Sequence, residues 1–592
     1  MRVGVDTGGT FTDVVTADGR IVKVLSTRDD PARAVASGVD AVGGAASIAH
    51  GTTVATNALL ERRGARVAIV TNDGFADVIE IARQNRPSLY DPFADRPEPL
   101  VARSHRLEVQ GRLDHTGAEL VALGPVPQVP DDVEAVAVVL LHADISSAHE
   151  RAVADELRAR GHDVTCSHEI APEFREYERT VTTVANAYVR PVCRSYLRRL
   201  AAVAQSVEIM TSAGGLLDVE SAADAPVTLL LSGPAGGVAA GAAAAMAAGF
   251  TDAVTFDMGG TSTDVCLVLD GAPAPAAQRT VAGFPIRTAS LDIHTIGAGG
   301  GSIASVDPGG ALRVGPESAG ADPGPACYGR GGTRATVTDA DLVLGRIPSD
   351  TTFPDLGQLD RDAASRALAD AGVDAAGVVA VVDAAMVQAV RAVTVERGVD
   401  PRRCALVAFG GAGPLHACAI ADELDMPAVV VPPRAGVLSA VGMLTAARQV
   451  DLVRSWPTPS DVDPQRLEDA LVSLAARASR AVGGGAVVDV GLDCRYAGQS
   501  HEITVPDVDD FPAEHRRRNG FDRPGAPIEV VALRATARVP SPISYDDLPP
   551  AAARAGRIDG PRVVAEADCT IWIPSGWTAV ADASGAWVIT RS

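Results

Sequence analysis

The chain has 592 residues, 47% hydrophobic and 21% charged, with a formal net charge of −22; that length suggests roughly three or four folding units of ordinary globular composition. So acidic a surface repels phosphate backbones and anionic lipid, which argues against nucleic acid or a membrane as partner. The single lysine, Lys23, excludes a Walker A loop, a protein-kinase strand lysine and Schiff-base or pyridoxal chemistry, and is expected to take no part in nucleotide binding.

In chain order, MRVGVDTGGT lacks the charged-then-apolar layout of a signal peptide and reads as a first strand, so a cytoplasmic location is expected. The octet DTGGTFTD, residues 6–13, leads into a second strand and an Asp-Gly turn. RVAIV with a helix over 74–83, then EAVAVVLL with a helix over 147–160 and the strand HDVTC, continue an alternating α/β pattern. The long amphipathic stretch 176–200 is expected to bridge two halves, with a bend or restart at Pro191. Residues 225–251 carry no charge and are long enough to cross a bilayer, but Ala and Gly dominate and Ser232-Gly233-Pro234 interrupts them. They read as strand, turn and buried helix.

The octet then recurs as DMGGTSTD at 257–264, identical at six of eight positions and flanked in the same way. Two homologous α/β halves facing each other across a cleft follow from that repeat. Beyond it lie the loop IGAGGGSIA and the stretch VGPESAGADPGPACYGRGG, whose Gly and Pro content predicts irregular structure. Residues 404–432 form a β-loop-α-β unit around GGAGP. After Arg448 a helix near 464–482 and short strands predict a separate C-terminal domain, with a Pro-rich link to a final β segment. The expected boundaries are 1–180, 181–448 and 449–592. Eight cysteines without a CxxC pair read as small buried hydrophobes and point to neither zinc nor an iron-sulfur cluster.

A D-x-G-G-T turn offers backbone N–H groups and, at its glycines, room for phosphate oxygens. Asp6 and Asp257, at the heads of the two turns, are placed to hold a hydrated Mg²⁺ between the halves and neutralise charge during phosphoryl transfer. The third loop, Gly410-Gly411-Ala412-Gly413, opens a helix where backbone can approach adenosine. Neither it nor the loop at Gly297 completes a GxGxxG fingerprint. Phosphate, phosphate and adenosine loops in that order are the pattern of the actin, sugar-kinase and heat-shock-chaperone ATPases, here two ribonuclease-H-like halves around a nucleotide cleft.

The remaining motifs narrow the likeness. HGTTVATNALLERRGARVAIVT, RQNRPSLYD, EYERT, SGPAGG, TIGAGGGSIA, SAGADPGPACYGRGG, FGGAGPLHA, GVLSAVGML and RYAGQSHEITVP resemble the ATP-binding A subunit of the hydantoinase/oxoprolinase family almost from end to end. The resemblance implies an enzyme that phosphorylates the carbonyl oxygen of a cyclic amide such as a hydantoin, oxoproline or lactam, so that water opens the ring, with a B-type subunit performing the later step. Some relatives carboxylate ketones instead. Carried over position by position, Asp6, Gly8, Gly9, Thr10, Thr12 and Asp13 match the first phosphate loop and Asp257, Gly259, Gly260, Thr261, Ser262 and Asp264 the second. Gly297, Gly299, Gly300 and Gly301 match the loop beside the nucleotide, and Gly410, Gly411 and Gly413 the adenosine loop. Asp13 or Asp264 would orient the attacking group, with ATP and Mg²⁺ bound.

Two departures stand out: MTSAGG at 210–215 lacks the Asn usual before the Gly pair, and the region after RYAGQSHEITV is short for the family. A nucleotide-driven switch and a simple sugar or acid kinase are the competing readings. His50 and His416 read as satisfied core histidines. Arg83, Gln84, Asn85, Arg86 and Tyr90 form a polar loop that either lines a pocket or is solvated. Glu178 and Arg179 read as an ion pair on the long helix.

Overall fold

The computed structural model describes residues 1–8, 11–27, 30–350, the backbone of 352–353, 357–460, 462–549 and 554–592. Val-rich alternation builds a meander of β1 (Arg2–Thr7), β2 (Phe11–Thr16) and β3 (Ile21–Leu25), and β1 pairs in parallel with β4 (Ser47–Gly51), which pairs in parallel with β5 (Ser206–Met210). The second half repeats this order. There β6 (Ala253–Met258), β7 (Thr263–Leu269) and β8 (Ala272–Pro273) form the meander, and β9 (Ala405–Phe409) and β10 (Val429–Val431) follow in parallel on the far side of β6. The repeat in sequence is therefore a repeat in topology.

A smaller four-stranded sheet inserted in the first half joins Val164–Cys166, Ala135–Val139, Val67–Asn72 and Arg106–Val109. The helix α1 (Glu176–Leu200) packs against its Ala135–Val139 strand, runs unbroken through Pro191, and is buried mainly within the first half. Among the described residues, the hairpin ending at Phe284–Ile286 reaches across from the second half to it. The expected restart at Pro191 is absent because burial on both sides holds the helix together despite the missing backbone donor.

Between the sheets lie α2 (Ser232–Ala247) and, after α3 (Val337–Val343), α4 (Ala375–Val393) and α5 (Gly413–Glu423), the short α6 (Leu438–Thr445). In α2, Ala and Gly cover every face, as a helix buried all round requires. A 3-10 turn, Pro226–Leu229, precedes it in place of the expected strand. Helix α6 crosses α2 so closely that a Cβ on Gly442 would lie 1.8 Å from the Gly236 carbonyl oxygen, and a Cβ on Gly4 in β1 would lie 2.1 Å from that of Ala440. Gly237 and Gly241 bring α2 against side chains of the second sheet, where added Cβ atoms would lie 2.7 Å from Phe409 and 2.8 Å from Thr255. Glycine thus makes the seam joining the two halves.

The C-terminal residues divide between both sheets. Strands Arg448–Ser455, Ile528–Val539, Val487–Tyr496 and Ile503–Val505 extend the first beyond β5 and Leu216–Asp218, with the helix Pro464–Val482 against them. Arg534 fastens this layer, meeting Asp493 at 2.8 Å and Glu173 at 3.1 Å. Strands Trp587–Arg591, Trp577–Ala581 and Arg557–Asp559 extend the second sheet from β10. Each addition covers an edge that would otherwise offer unpaired backbone. Leu312–Ser318, which takes in the first five residues of the stretch expected to be irregular, is a strand paired with Ser302–Val306. Among the described residues, the helical run Ala375–Arg397 alone is long and apolar enough to cross a bilayer, not 225–251; half of that span is buried here. All eight cysteines are buried free thiols.

Candidate functional site

The two octets fold alike. Asp6 stands opposite Asp13 on the β1–β2 hairpin, and Asp257 opposite Asp264 on β6–β7. The Gly8 N–H donates to the Phe11 carbonyl at 3.0 Å and the Gly259 N–H to that of Ser262 at 3.1 Å, closing equivalent turns. Gly9 and Thr10 lie outside the described residues. At the second tip Gly260 and Thr261 are exposed, with Gly259 and Ser262 half-buried beside them, and a Cβ on Gly260 would meet nothing within 4 Å. That backbone is open to a phosphate. Thr12, by contrast, is buried inside its hairpin and shares a 3.1 Å hydrogen bond with the Ser26 hydroxyl.

The loop 297–301 lies on the second turn: Gly300 and Gly301 donate to the Gly259 and Gly260 carbonyls at 3.0 and 2.6 Å. A Cβ on Gly299 would come within 2.7 Å of the Gly259 carbonyl oxygen, so only glycine allows this stacking, whereas a Cβ on Gly297 would meet Pro316 at an ordinary 3.8 Å. The third loop arrives from β9. Gly410, at φ +79°, has no room for a side chain, since its Cβ would lie 2.3 Å from Asp257 Oδ1. Ala412 N–H donates to the Met258 carbonyl at 2.9 Å, Gly411 is open, and α5 starts at Gly413. All three loops therefore converge on Asp257.

Electrostatics join the halves. Burial raises Asp6 well above the usual carboxylate range, and the charges of Asp13 and Asp257 raise it further. Burial, then Asp264 and Asp13, push Asp257 up to about 7 against a hydrogen bond from Ser439. Burial lifts Asp264 to about 6, opposed by Thr295 and Arg279. The N-terminus of α2 opens on the same space, since a Cβ on Gly233 would lie 3.9 Å from Asp6 Oδ1, and its unpaired N–H groups favour negative charge. Mutually repelling carboxylates beside open glycine backbone are a donor set that fits a hydrated divalent cation with a polyphosphate.

One member of the site was not anticipated from sequence. Lys23 lies across from Asp13 in the β2–β3 register, and its Nζ donates to Asp13 Oδ1 at 2.8 Å. The signal was present in the Asp-Gly turn between β2 and β3, which sets that pairing. The histidines are core residues, as expected. His50 is buried between the Val5 carbonyl, 3.1 Å, and the Tyr196 hydroxyl, 2.6 Å, and burial lowers it to about 4. Glu178 and Arg179 do not pair with each other. Successive helix residues point apart, and Glu178 binds Arg83 at 2.8 Å while Arg179 binds Asp144 at 2.6 Å. Tyr90 is 95% exposed and Gln84, Asn85 and Arg86 are exposed too, so that loop is solvated rather than pocket-lining.

His416, in the first turn of α5, is wholly buried between Asp383 on α4 at 2.6 Å and Asp341 on α3 at 3.2 Å. Burial alone would pull its pKa down, but the two carboxylates push it up to about 10. A folded value above the unfolded one means stability fully present below about 6.5 and lost as pH rises toward 10. His416→Gln is expected to lower unfolding free energy by about 3 kcal/mol at pH 6, because two buried carboxylates lose their cation, with the deficit shrinking by pH 10. Urea denaturation at a series of pH values measures it; a pH-independent deficit would show that His416 is neutral.

Residues 2–161 match the hydantoinase/oxoprolinase N-terminal region and residues 179–451 match hydantoinase/oxoprolinase. The caprolactamase subunit alpha of Pseudomonas jessenii is 33% identical, with 100% of this chain and 99% of that one covered. This chain belongs to the hydantoinase/oxoprolinase family. The crystal structure of the ATP-dependent caprolactamase from Pseudomonas jessenii superposes with a TM-score of 0.87 over 100% of both chains at 29% identity, and the fold is the actin-like ATPase fold. The acetophenone carboxylase gamma subunit of Aromatoleum aromaticum is 31% identical over 84% of this chain and 77% of its own. The 5-oxoprolinase of Saccharomyces cerevisiae is 33% identical over 75% of this chain, which spans 41% of that protein. In this chain the motifs RQNRPSLYD and EYERT meet through the Arg83–Glu178 pair.

Proposed function

We propose that this chain, with ATP and Mg²⁺, phosphorylates the carbonyl oxygen of a cyclic amide such as a hydantoin, oxoproline or lactam, activating it for ring opening by a hydantoinase B-type partner subunit. The observation that carries the reading is that Asp6 and Asp257, one from each half, lie close enough for their charges to interact, with three glycine loops packed around Asp257, in a chain similar over its whole length to a caprolactamase subunit. Asp6 and Asp257 would hold Mg²⁺, which supplies charge neutralisation when bound. Gly260 and Gly411 leave the backbone open to phosphate and adenosine. The α2 N-terminus favours negative charge, and Asp13 orients the attacking oxygen. An amide carbonyl is a poor electrophile; phosphorylation of its oxygen makes the carbon electrophilic, water adds there, the ring C–N bond breaks with the amine as leaving group to give an acyl phosphate, and a second water releases phosphate and the carboxylate. A labile phosphorylated ring is best handed directly to a neighbouring pocket that excludes bulk water. The location that fits such ATP use is the cytoplasm.

A second reading, ATP-dependent ketone carboxylation, is favoured by the likeness to the acetophenone carboxylase subunit. ATP turnover on hydantoins, oxoproline, lactams and ketones, with and without bicarbonate and with and without the B-type protein, separates the two. The chain alone is expected to bind ATP and open no ring; the pair is expected to turn over ATP only with a cyclic amide. Bicarbonate-dependent turnover on a ketone would replace the first reading with the second, and ring opening by the single chain would remove the need for a partner.

A further inference from the structure

We propose that Lys23 is a positioning residue that orients Asp13 and ties that orientation to the seating of the two halves on each other. The inference rests on the phosphoryl-transfer reading above. Lys23 Nζ reaches in two directions: to Asp13 Oδ1 at 2.8 Å on its own sheet, and to the Gly436 carbonyl at 3.1 Å, in the turn Ala435–Val437 that leaves the second sheet after β10. Gly436 is also held through its preceding peptide, where its N–H donates to Asp568 Oδ2 at 2.8 Å. A Cβ on Gly436 would lie 1.8 Å from the Asp568 carbonyl oxygen, so the turn is pressed against the C-terminal segment with no slack.

Three residues further on, Ser439 in α6 hydrogen-bonds Asp257. The path Asp13, Lys23, Gly436, Ser439, Asp257 therefore links the carboxylates of both octets through one cation and one turn. The equivalent residue of the second half, Asp264, has no lysine. It is held by the hydroxyl of Thr295 on the strand beside it, within its own sheet. Of the two hairpin-end carboxylates, only Asp13 has a placement that depends on the other half. This asymmetry assigns the orienting role to Asp13 rather than Asp264, and makes it available only when the halves are seated as they are here. An ammonium with three rotatable donors suits two acceptors at an angle, which a planar guanidinium fits less well.

The test is steady-state MgATP turnover by the chain with its B-type subunit, together with titration of a fluorescent ADP analogue. Lys23→Ala is expected to lower kcat by about 10²-fold, the cost of an attacking group held out of line, with KM for ATP and analogue affinity within about twofold and some loss of thermal stability, because Asp13 is left largely buried without its cation. Lys23→Arg should recover at least about tenfold of the loss. Should Lys23→Ala fold poorly, Lys23→Met keeps the aliphatic stem and reads the same split. Unchanged kcat overturns the proposal, and so does a raised KM with unchanged kcat, which would put Lys23 on the nucleotide. Asp13→Asn separates the two levels. If it keeps full turnover, the reading of the site itself fails; if it is inactive while Lys23→Ala is not, only the role of Lys23 fails.

Discussion

Asp257→Asn is expected to lower ATP turnover by a factor on the order of 10³ or more while raising, not lowering, the stability of the fold at pH 8. The two effects have one source. Asp257 sits where three glycine loops meet, and its folded pKa is about 7 because burial and the charges of Asp264 and Asp13 oppose ionisation. For a carboxyl raised above its unfolded value the sign is unfavourable: between about pH 4 and 7 the unfolded chain ionises first, so stability falls across that window and stays reduced above it. Asn removes the charge at nearly constant shape and so removes the penalty, together with the ligand that a metal ion needs. Asp6→Asn should behave alike, since burial, Asp13 and Asp257 raise it for the same reasons. Kinetics at limiting Mg²⁺ and thermal melts at pH 4.5 and 8 measure both halves of the claim. Wild-type turnover in either variant would end the two-carboxylate account; a lower melting temperature at pH 8 would end the electrostatic one.

Gly442→Ala should cost about 3 kcal/mol or more, enough to leave much of the protein insoluble. A glycine in mid-helix normally invites the opposite result, because alanine gains roughly 1 kcal/mol in helix propensity. At this crossing, however, the added carbon would lie 1.8 Å from the Gly236 carbonyl oxygen and 2.4 Å from its carbon. These are backbone atoms of α2, so no side-chain rotation relieves the overlap and the helices must part. Parting them moves β1 and β4, which pack on α6, away from β6 and β9, which pack on α2, and with them the two octets. Chemical denaturation against Gly241→Ala, whose new contact is a methyl of Thr255 at 2.8 Å, gives the comparison. A Gly442→Ala protein more stable than the parent would mean that the helices do not cross this closely.

Much of this was legible because the octet carries its own geometry. Asp, two glycines and Thr between apolar runs dictate a hairpin, and writing it twice dictates two halves. GGAGP after an apolar run placed a strand end and a helix start correctly, and helix 464–482 was legible from periodicity alone. What failed depended on tertiary neighbours. Pro191 sits in an unbroken helix because packing outweighs a lost backbone bond. Residues 312–318 form a strand because Ser302–Val306 lies alongside. Glu178 and Arg179 are adjacent in sequence but face different partners. The split of the C-terminal strands between both sheets is a long-range choice of edges that local pattern does not encode. Lys23 was discounted through a true exclusion applied too widely: the lack of a Walker lysine says nothing about a lysine that holds a carboxylate.

With 52 basic side chains of which 51 are arginine, the chain carries one ε-amino group, about a fifth exposed and paired with Asp13. Amine-selective reagents that spare the α-amino group at their working pH therefore have one address on the described surface. Because that amine is bonded to Asp13 and to the Gly436 carbonyl, its acylation is expected to be slow and to break both bonds, so the rate reads how often Lys23 leaves its partners. The same scarcity means that acylating by-products of carbonyl activation find few amines to damage, and that the one at hand is shielded by its bond to Asp13.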